Sequence, residues 1–386
     1  MAFQKSIFRQ LIDLHSRLEF QSIVNRHNGD FRSRTATCWD QYIHLMFAQL
    51  SGRDSLRDTI DGSLSQINKL YHLGAKTVPR STLSDANNKR PNEIYKDVFF
   101  TLLQRVQQLA PKYKLKLPRK LFLMDSTVVD LCLQLFPWAK FRKTKASIKV
   151  HAVMQADGSL PTFIHITEGK VHDVKAAWKL KVPEGSYLVF DRGYHDFNLY
   201  NYYNKHKIRF ITRKKTNAKY RILEERPVDK SMGILRDQIV EFTGYVTHKK
   251  YPHHLRIIEF WDDTEQKRLI FLTNDLTLDA KTIADIYKAR WEIELFFRVI
   301  KQNLKIKRFI GYSENAVKTQ VWIAMIAYLL ISYYKFLHKV NLSIQKLARR
   351  IQVNLFERKS LLELIKFEKF RPPETSTVNQ MALFKI

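Results

Sequence analysis

Leu121-Phe-Leu-Met-Asp125-Ser-Thr-Val-Val129 and Tyr187-Leu-Val-Phe-Asp191-Arg-Gly-Tyr194 share one pattern: a short apolar run that ends in an aspartate. A run of this length, rich in β-formers and bounded by turn residues, reads as a strand buried in a sheet. Each aspartate is then carried to a strand end, where a packed sheet holds a side chain rigidly. Burying a lone carboxylate costs several kcal/mol unless a cation or a hydrogen-bonding partner meets it. A turn or cap explains one such aspartate. Two in matching contexts point instead to bound cations, and Gly193 permits a tight turn directly after Asp191.

A third acid belongs with them. Tyr287, Arg290, Glu294 and Lys301 follow one another at spacings of three, four and seven inside a long helical pattern. At roughly 100° per residue all four fall within about a 60° sector. They border the apolar stripe of Ile283, Ile286, Ile293, Phe297 and Ile300, whereas a surface helix normally sets charge opposite its core face. An Arg290–Glu294 pair at i,i+4 could be an ordinary surface bridge, but a row of four along the core edge is not ordinary. Lys288 and Glu292 are expected to face solvent and to matter little. Carboxylates from two strands and a helix are the oxygen ligands that a pair of hard divalent cations takes.

The rest of the chain is basic. Its 386 residues carry 66 Lys and Arg against 37 Asp and Glu, a net charge of +29. Such an excess predicts salt-sensitive binding to a polyanion, foremost nucleic acid. Hydrophobic content of 45% excludes a disordered chain and supports at least one large core. The two cysteines, Cys38 and Cys132, have no metal-ligand spacing and imply a reducing compartment. The N-terminus lacks a signal-peptide core. The apolar stretch Val321–Tyr334 reads as a buried core helix too short to span a bilayer. A cytoplasmic, nucleoid-associated protein with no membrane contact is expected. No GxxxxGK[ST] occurs, so no nucleotide is expected.

Along the chain, residues 1–110 have helical periodicity and form the expected N-terminal DNA-binding domain. A helix near 81–90, capped from Ser81, follows a loop with Gly74 and Pro79 and has the look of a recognition helix. Pro111–Pro118 is a basic linker. Strands are expected near 120–128, 147–155, 161–167, 187–191 and 208–213, with a turn at Asp157-Gly158 and helices near 174–180 and 196–206. Residues 214–276 read as an antiparallel β insertion. Helices resume from Asp279, with 277–338 completing the core begun at 119–213 and 339–386 forming a helical C-terminal region. The fold class is α/β with a mixed sheet.

The three acidic segments resemble the DDE transposases of bacterial insertion sequences. The group they resemble is the insertion-sequence-four family, whose signature Y-x2-R-x3-E-x6-K is matched by Tyr287, Arg290, Glu294 and Lys301. Asp125-Ser-Thr and Phe190-Asp191-Arg-Gly-Tyr194 are similar to the family's two aspartate motifs. Lys149-Val-His151 and Gly169-Lys-Val-His172-Asp173 are similar to the region between them. The resemblance implies an RNase H-like core with a β insertion before the glutamate. It implies catalysis by Asp125, Asp191 and Glu294 on two Mg²⁺ ions, with Mn²⁺ as a substitute, and cut-and-paste transposition of double-stranded DNA. The DNA would comprise terminal inverted repeats and target, held by a homodimer in the synaptic complex. Tyr287, Arg290 and Lys301 would contact phosphates near the cleaved end. Trp261, in the insertion, would stack on a flipped base.

Three basic stretches without acids add candidate DNA contacts: Lys143 and Lys145, then Arg213, Lys214 and Lys215, and finally Lys305. Two other readings compete: a nuclease of the same fold without strand transfer, and a non-catalytic DNA-binding relic of a transposase.

Overall fold

The computed structural model describes residues 4–142, 145–215, 219–304, 306 and 308–365. One sheet of ten strands organises it. The strands are β1 (Leu121–Leu131), β2 (Lys140–Arg142), β3 (Lys145–Gln155), β4 (Leu160–Glu168), β5 (Tyr187–Phe190), β6 (Arg209–Arg213), β7 (Tyr220–Glu225), β8 (Ile234–Phe242), β9 (Leu255–Asp262) and β10 (Lys267–Thr273). Their spatial order is β2-β3-β1-β5-β6-β10-β9-β8-β7, with β4 also on β3. Only β1, β5 and β6 run parallel; the other neighbours are antiparallel. The β3–β4 turn at Asp157–Ser159 needs its glycine: Gly158 has φ +66°, and a Cβ there would meet the Ala110 Cβ at 2.9 Å.

Residues 214–276 are antiparallel but do not form a separate layer. β10 pairs with β6, so the segment prolongs the core sheet outward to β7. Without β10, β6 would present an unpaired edge.

Seven helices precede the sheet: α1 (Ile7–Ile12), α2 (Arg17–Arg26), α3 (Cys38–Ser51), α4 (Leu56–Leu64), α5 (Ile67–Leu70), α6 (Arg80–Lys89) and α7 (Glu93–Leu109). Short helices α8 (Asp173–Ala177), α9 (Phe197–Lys205) and α10 (Tyr245–Lys250) link strands. After β10 come α11 (Ala280–Lys288), α12 (Trp291–Arg298), a π-helical turn over Val299–Asn303, α13 (Glu314–Leu337), α14 (Ile344–Asn354) and α15 (Leu361–Ile365).

Two expectations change here. α6 begins at Arg80 with Pro79 in the cap position, and no side chain caps it; Ser81 lies inside the first turn. The apolar stretch near 321–334 belongs to a 24-residue helix, α13, which by length and composition could cross a membrane. Instead 89% of its apolar window is buried within the protein, because α13 threads the main core against α3, α7 and α14. That core occupies one face of the sheet, where Leu121, Leu123 and Val189 meet Ile293, Phe296 and Phe297. The other face carries a second cluster that includes Met124, Leu188, Phe190 and Tyr200.

Candidate active site

Strand register brings the two aspartates together. β1 and β5 pair Met124 with Phe190, so the next residues, Asp125 and Asp191, are neighbours across parallel strands, about 4.8 Å apart in backbone spacing. β5 and β6 pair Val189 with Ile211, and two residues further along each lie Asp191 and Arg213. Asp125, Asp191 and Arg213 thus form a row where β5 stops. Asp125 is not at a strand end, as the apolar run implied: β1 continues to Leu131, still paired with β3. The site forms because β5 is short, leaving one side of β1 uncovered from Asp125 onward.

The helix that brings Glu294 is not continuous. After α11, four backbone bonds span three residues each: Ala289 to Ile286, Arg290 to Tyr287, Glu292 to Ala289 and Ile293 to Arg290, at 3.0–3.2 Å. This 3₁₀-type tightening eclipses residues three apart. It sets the Arg290 guanidinium 5.8 Å from the Tyr287 ring centroid. Tyr287 is buried against Phe271, with ring centroids 4.8 Å apart, and burial raises its phenol pKa. α12 then packs over β1. The π turn that follows holds Lys301; such turns are rare and often mark functional sites.

Arg290 closes the arrangement. Its Nη2 lies 2.6 Å from Glu294 Oε1 and its Nη1 3.5 Å from Asp125 Oδ2. Its Nε is buried with no hydrogen-bond partner among the described residues. Asp125 Oδ1 also accepts from the Ser126 N–H at 2.8 Å. Burial pushes the Asp125 carboxyl up to about 6, with repulsion from Asp191 and Glu294 adding to the rise and Ser126 and Arg290 opposing it. Three mutually repelling carboxylates and one guanidinium therefore share a half-buried space. The donor chemistry fits hard divalent cations. Among the described residues, however, no three His, Cys, Asp or Glu side chains stand close enough to hold an ion, because the Arg290 guanidinium lies between Asp125 and Glu294.

A cleft of about 270 Å³ adjoins this space, lined by Arg213, Tyr287, Arg290 and Trp291 on one side and by Asp262 and Lys267 on the other. Arg213 thus joins the acids, whereas Trp261 does not line the cleft. Alternation along β9 puts Trp261 on the sheet face opposite Phe260 and Asp262. Lys214 leans over the Tyr220 ring at 4.9 Å. Lys145 and Lys215 are exposed at strand ends. Lys143 and Lys305 lie outside the described residues.

Of the two charges expected to face solvent, Lys288 is exposed and Glu292 is half-buried. Lys288 reaches Asp262 at 3.5 Å and the Phe260 ring at 5.0 Å. Glu292 accepts from Ser159 Oγ at 3.2 Å. The placement of Glu292 follows from the tightened turn, which rotates α12 relative to an ideal continuation of α11. The same rotation presents Trp291, 51% exposed with Arg298 over its ring, to the cleft. Even a straight-helix projection sets Trp291 about 40° from Tyr287, beside the polar row, and that could have drawn attention to it. Asp173 was also missed. Behind Asp125 it accepts from Ser126 Oγ at 2.7 Å and pairs with Lys149 at 3.3 Å.

The family model described as "Transposase DDE domain" matches residues 116–330. This chain belongs to the DDE transposase family. The transposase is 32% identical over 72% of its length to a putative transposase of Sinorhizobium fredii, covering 78% of that relative. It is 27% identical over 82% of its length to a probable insertion-sequence transposase of Geobacillus stearothermophilus, covering 81% of it. The transposase also aligns with a piggyBac transposase synaptic complex over 91% of its own length and 78% of that chain, at TM-score 0.39 and 11% identity. Residues 3–76 match a second model, a domain of unknown function.

Proposed function

We propose that this transposase cuts and rejoins insertion-sequence DNA with Asp125, Asp191 and Glu294 as its catalytic acids. The observation that carries the reading is their convergence from a parallel strand pair and a separate helix, around a carboxyl whose pKa stands near 6. The same three acids would hold two Mg²⁺ ions, or Mn²⁺ in their place. When bound, such ions would polarise water and stabilise the attacking and leaving oxygens of an in-line phosphoryl displacement. Asp125, Asp191 and Glu294 would each supply carboxylate oxygens to hold them.

Arg290 has a second role in this reading. It neutralises Asp125 and Glu294 in the free protein and would turn to a DNA phosphate in the complex, since a planar guanidinium suits both partners. Arg213, Tyr287 and Lys301 would join it along the cleaved strand, with Trp291 as the exposed aromatic nearest the acids. The signature spacing supports membership of the insertion-sequence-four group. The order β4-β3-β1-β5-β6, with its parallel centre, supports an RNase H-like core over 119–213 and 277–338. Residues 1–110 would bind the element's ends as the N-terminal domain, 214–276 form the insertion, and 339–386 the C-terminal region. Synapsis of two ends would use a homodimer, and the protein would work on DNA in the bacterial cytoplasm.

The test is cleavage of labelled duplexes bearing the element's ends, in Mg²⁺ or Mn²⁺. Wild type should yield joined products. Asp125→Ala, Asp191→Ala and Glu294→Ala should bind but not cut. Cutting without joining would favour a nuclease of the same fold, and binding without metal-dependent cutting by wild type would leave a DNA-binding relic.

A further inference from the structure

A second cleft, of about 710 Å³, opens away from the acids between α4, α6 and the loop that leads into α13. Its walls come from three parts of the chain: Asp54–Arg57, the exposed side of α6, and Phe309–Ser313. The first lies within the domain of unknown function and the last within the DDE region. α6 is the helix expected near 81–90 for DNA recognition, but no contact assigned so far names the cleft or its residues.

Its chemistry is that of an anion site with readers. Ser81, Ser84 and Asn88 line it from one side of α6, as spacings of three, four and seven require. Arg57 and Arg80 flank them, and neither guanidinium has a partner among the described residues. Asp54 is the one acid in the lining, and Arg308 pairs with it at 2.7 Å. Two unspent guanidiniums beside a row of unspent hydroxyls call for a phosphate backbone with polar groups next to it.

The scaffold is rigid. Leu83 on α6 is buried with Ile60 and Val78 in a small core of its own. Gln41 donates to the buried Asn87 at 2.8 Å. Asn315, on α13, donates to the carbonyls of Asn87 and Arg90 at 2.8 and 2.7 Å. Ser313 donates to Asn88 at 2.7 Å. The cleft is therefore fastened to the helix that threads the catalytic core.

Its position relative to the acids can also be read. β1 runs six residues on from Asp125 to Leu131, roughly 20 Å. Just beyond, Phe136 meets the Tyr312 ring at 5.4 Å and Trp138 donates to the Tyr312 carbonyl at 2.8 Å. Tyr312 is the exposed rim of the cleft. A span of about 20 Å is about six base pairs of B-form DNA.

We infer that this cleft is a second DNA-binding site, which grips and reads the duplex about six base pairs or more inside the cleaved end. The inference rests on the function proposed above. Arg57 and Arg80 hold the backbone, and Ser84 and Asn88 meet base edges.

The experiment measures binding of end-bearing and scrambled duplexes across a salt series in metal-free buffer. Each duplex is used whole and cut back to about six base pairs from the cleaved bond. Wild type should lose at least about tenfold on the short duplex. Arg57→Ala/Arg80→Ala should bind the whole duplex as weakly as wild type binds the short one, with a salt slope lower by about two. Ser84→Ala/Asn88→Ala should keep its affinity for scrambled DNA and lose about tenfold in preference for the end. Ser84→Ala alone, which breaks no hydrogen bond among the described residues, serves if the double variant melts early. An arginine variant with wild-type slope and length dependence, or a serine variant with wild-type preference, overturns the inference. Cutting in Mg²⁺ separates the two levels. If wild type cuts while the variants bind as it does, only the cleft is refuted; if wild type cuts nothing, the underlying function fails.

Discussion

The two halves of the sheet handle charge in opposite ways. In the antiparallel half, charges are paired off internally. Arg256 and Asp237 are buried together, with contacts at 2.7 and 2.6 Å, Arg268 pairs with Glu259, and Lys288 with Asp262. In the parallel half, three carboxylates share one guanidinium beside a cleft. The first arrangement is satisfied as it stands. The second is short of positive charge in the free protein, which is the condition that the proposed cations would relieve. Charge that folding leaves uncompensated marks the working region better than the number of charges does.

The largest expected effect breaks that contrast at the acids. Asp191→Ala or Glu294→Ala should lower cleavage by about a thousandfold or more, equivalent to several kcal/mol of transition-state stabilisation. The melting temperature should hold or rise. A coincident fall in stability would place these acids with the structural pairs. The counterpart is Asp237→Ala, which strands Arg256 in the core. It should cost about 3–5 kcal/mol in denaturant unfolding, while catalysis by the folded fraction persists.

A third effect depends on pH. The Asp125 carboxyl is raised from 3.8 to about 6 by burial and by its acidic neighbours. Between those values the folded protein binds more protons than the unfolded chain, so this group lowers stability as pH rises through the window. Asp125→Asn removes the term. The melting temperature of the variant should therefore gain on wild type between pH 4 and pH 7, by the equivalent of up to about 3 kcal/mol. A constant offset across that range would show that Asp125 does not carry the repulsion. The smallest effect belongs to the edge strand: Arg221→Ala, which loses an exposed bridge to Glu241, should change stability by less than about 1 kcal/mol.

Much of the site was legible because it rests on local signals. Apolar runs that stop at Asp125 and Asp191 mark strands in a buried sheet, and the spacing of Tyr287, Arg290 and Glu294 survives in the folded protein as one polar edge. What failed was the assumption of an unbroken helix. A turn tightened at Ala289–Arg290 and a π turn at Val299 leave little trace in residue types, yet the first rotates Glu292 and Trp291 away from their ideal angles. The strand expected near 120–128 already ran past Asp125; what the residues did not show is that β1 continues to Leu131 while β5 stops at Phe190.

Taken alone, the sequence determined the basic polyanion-binding character, the mixed α/β class, the three acids and the signature helix, since charge, periodicity and apolar runs are properties of neighbouring residues. Only the tertiary structure decided that residues 214–276 prolong the core sheet, that Asp125, Asp191 and Arg213 line up where β5 stops, and that Arg290 stands between two of the acids. It also decided that α4, α6 and the 309–313 loop enclose a second cleft. Each of these depends on register and packing between segments far apart in the chain, which no local pattern encodes.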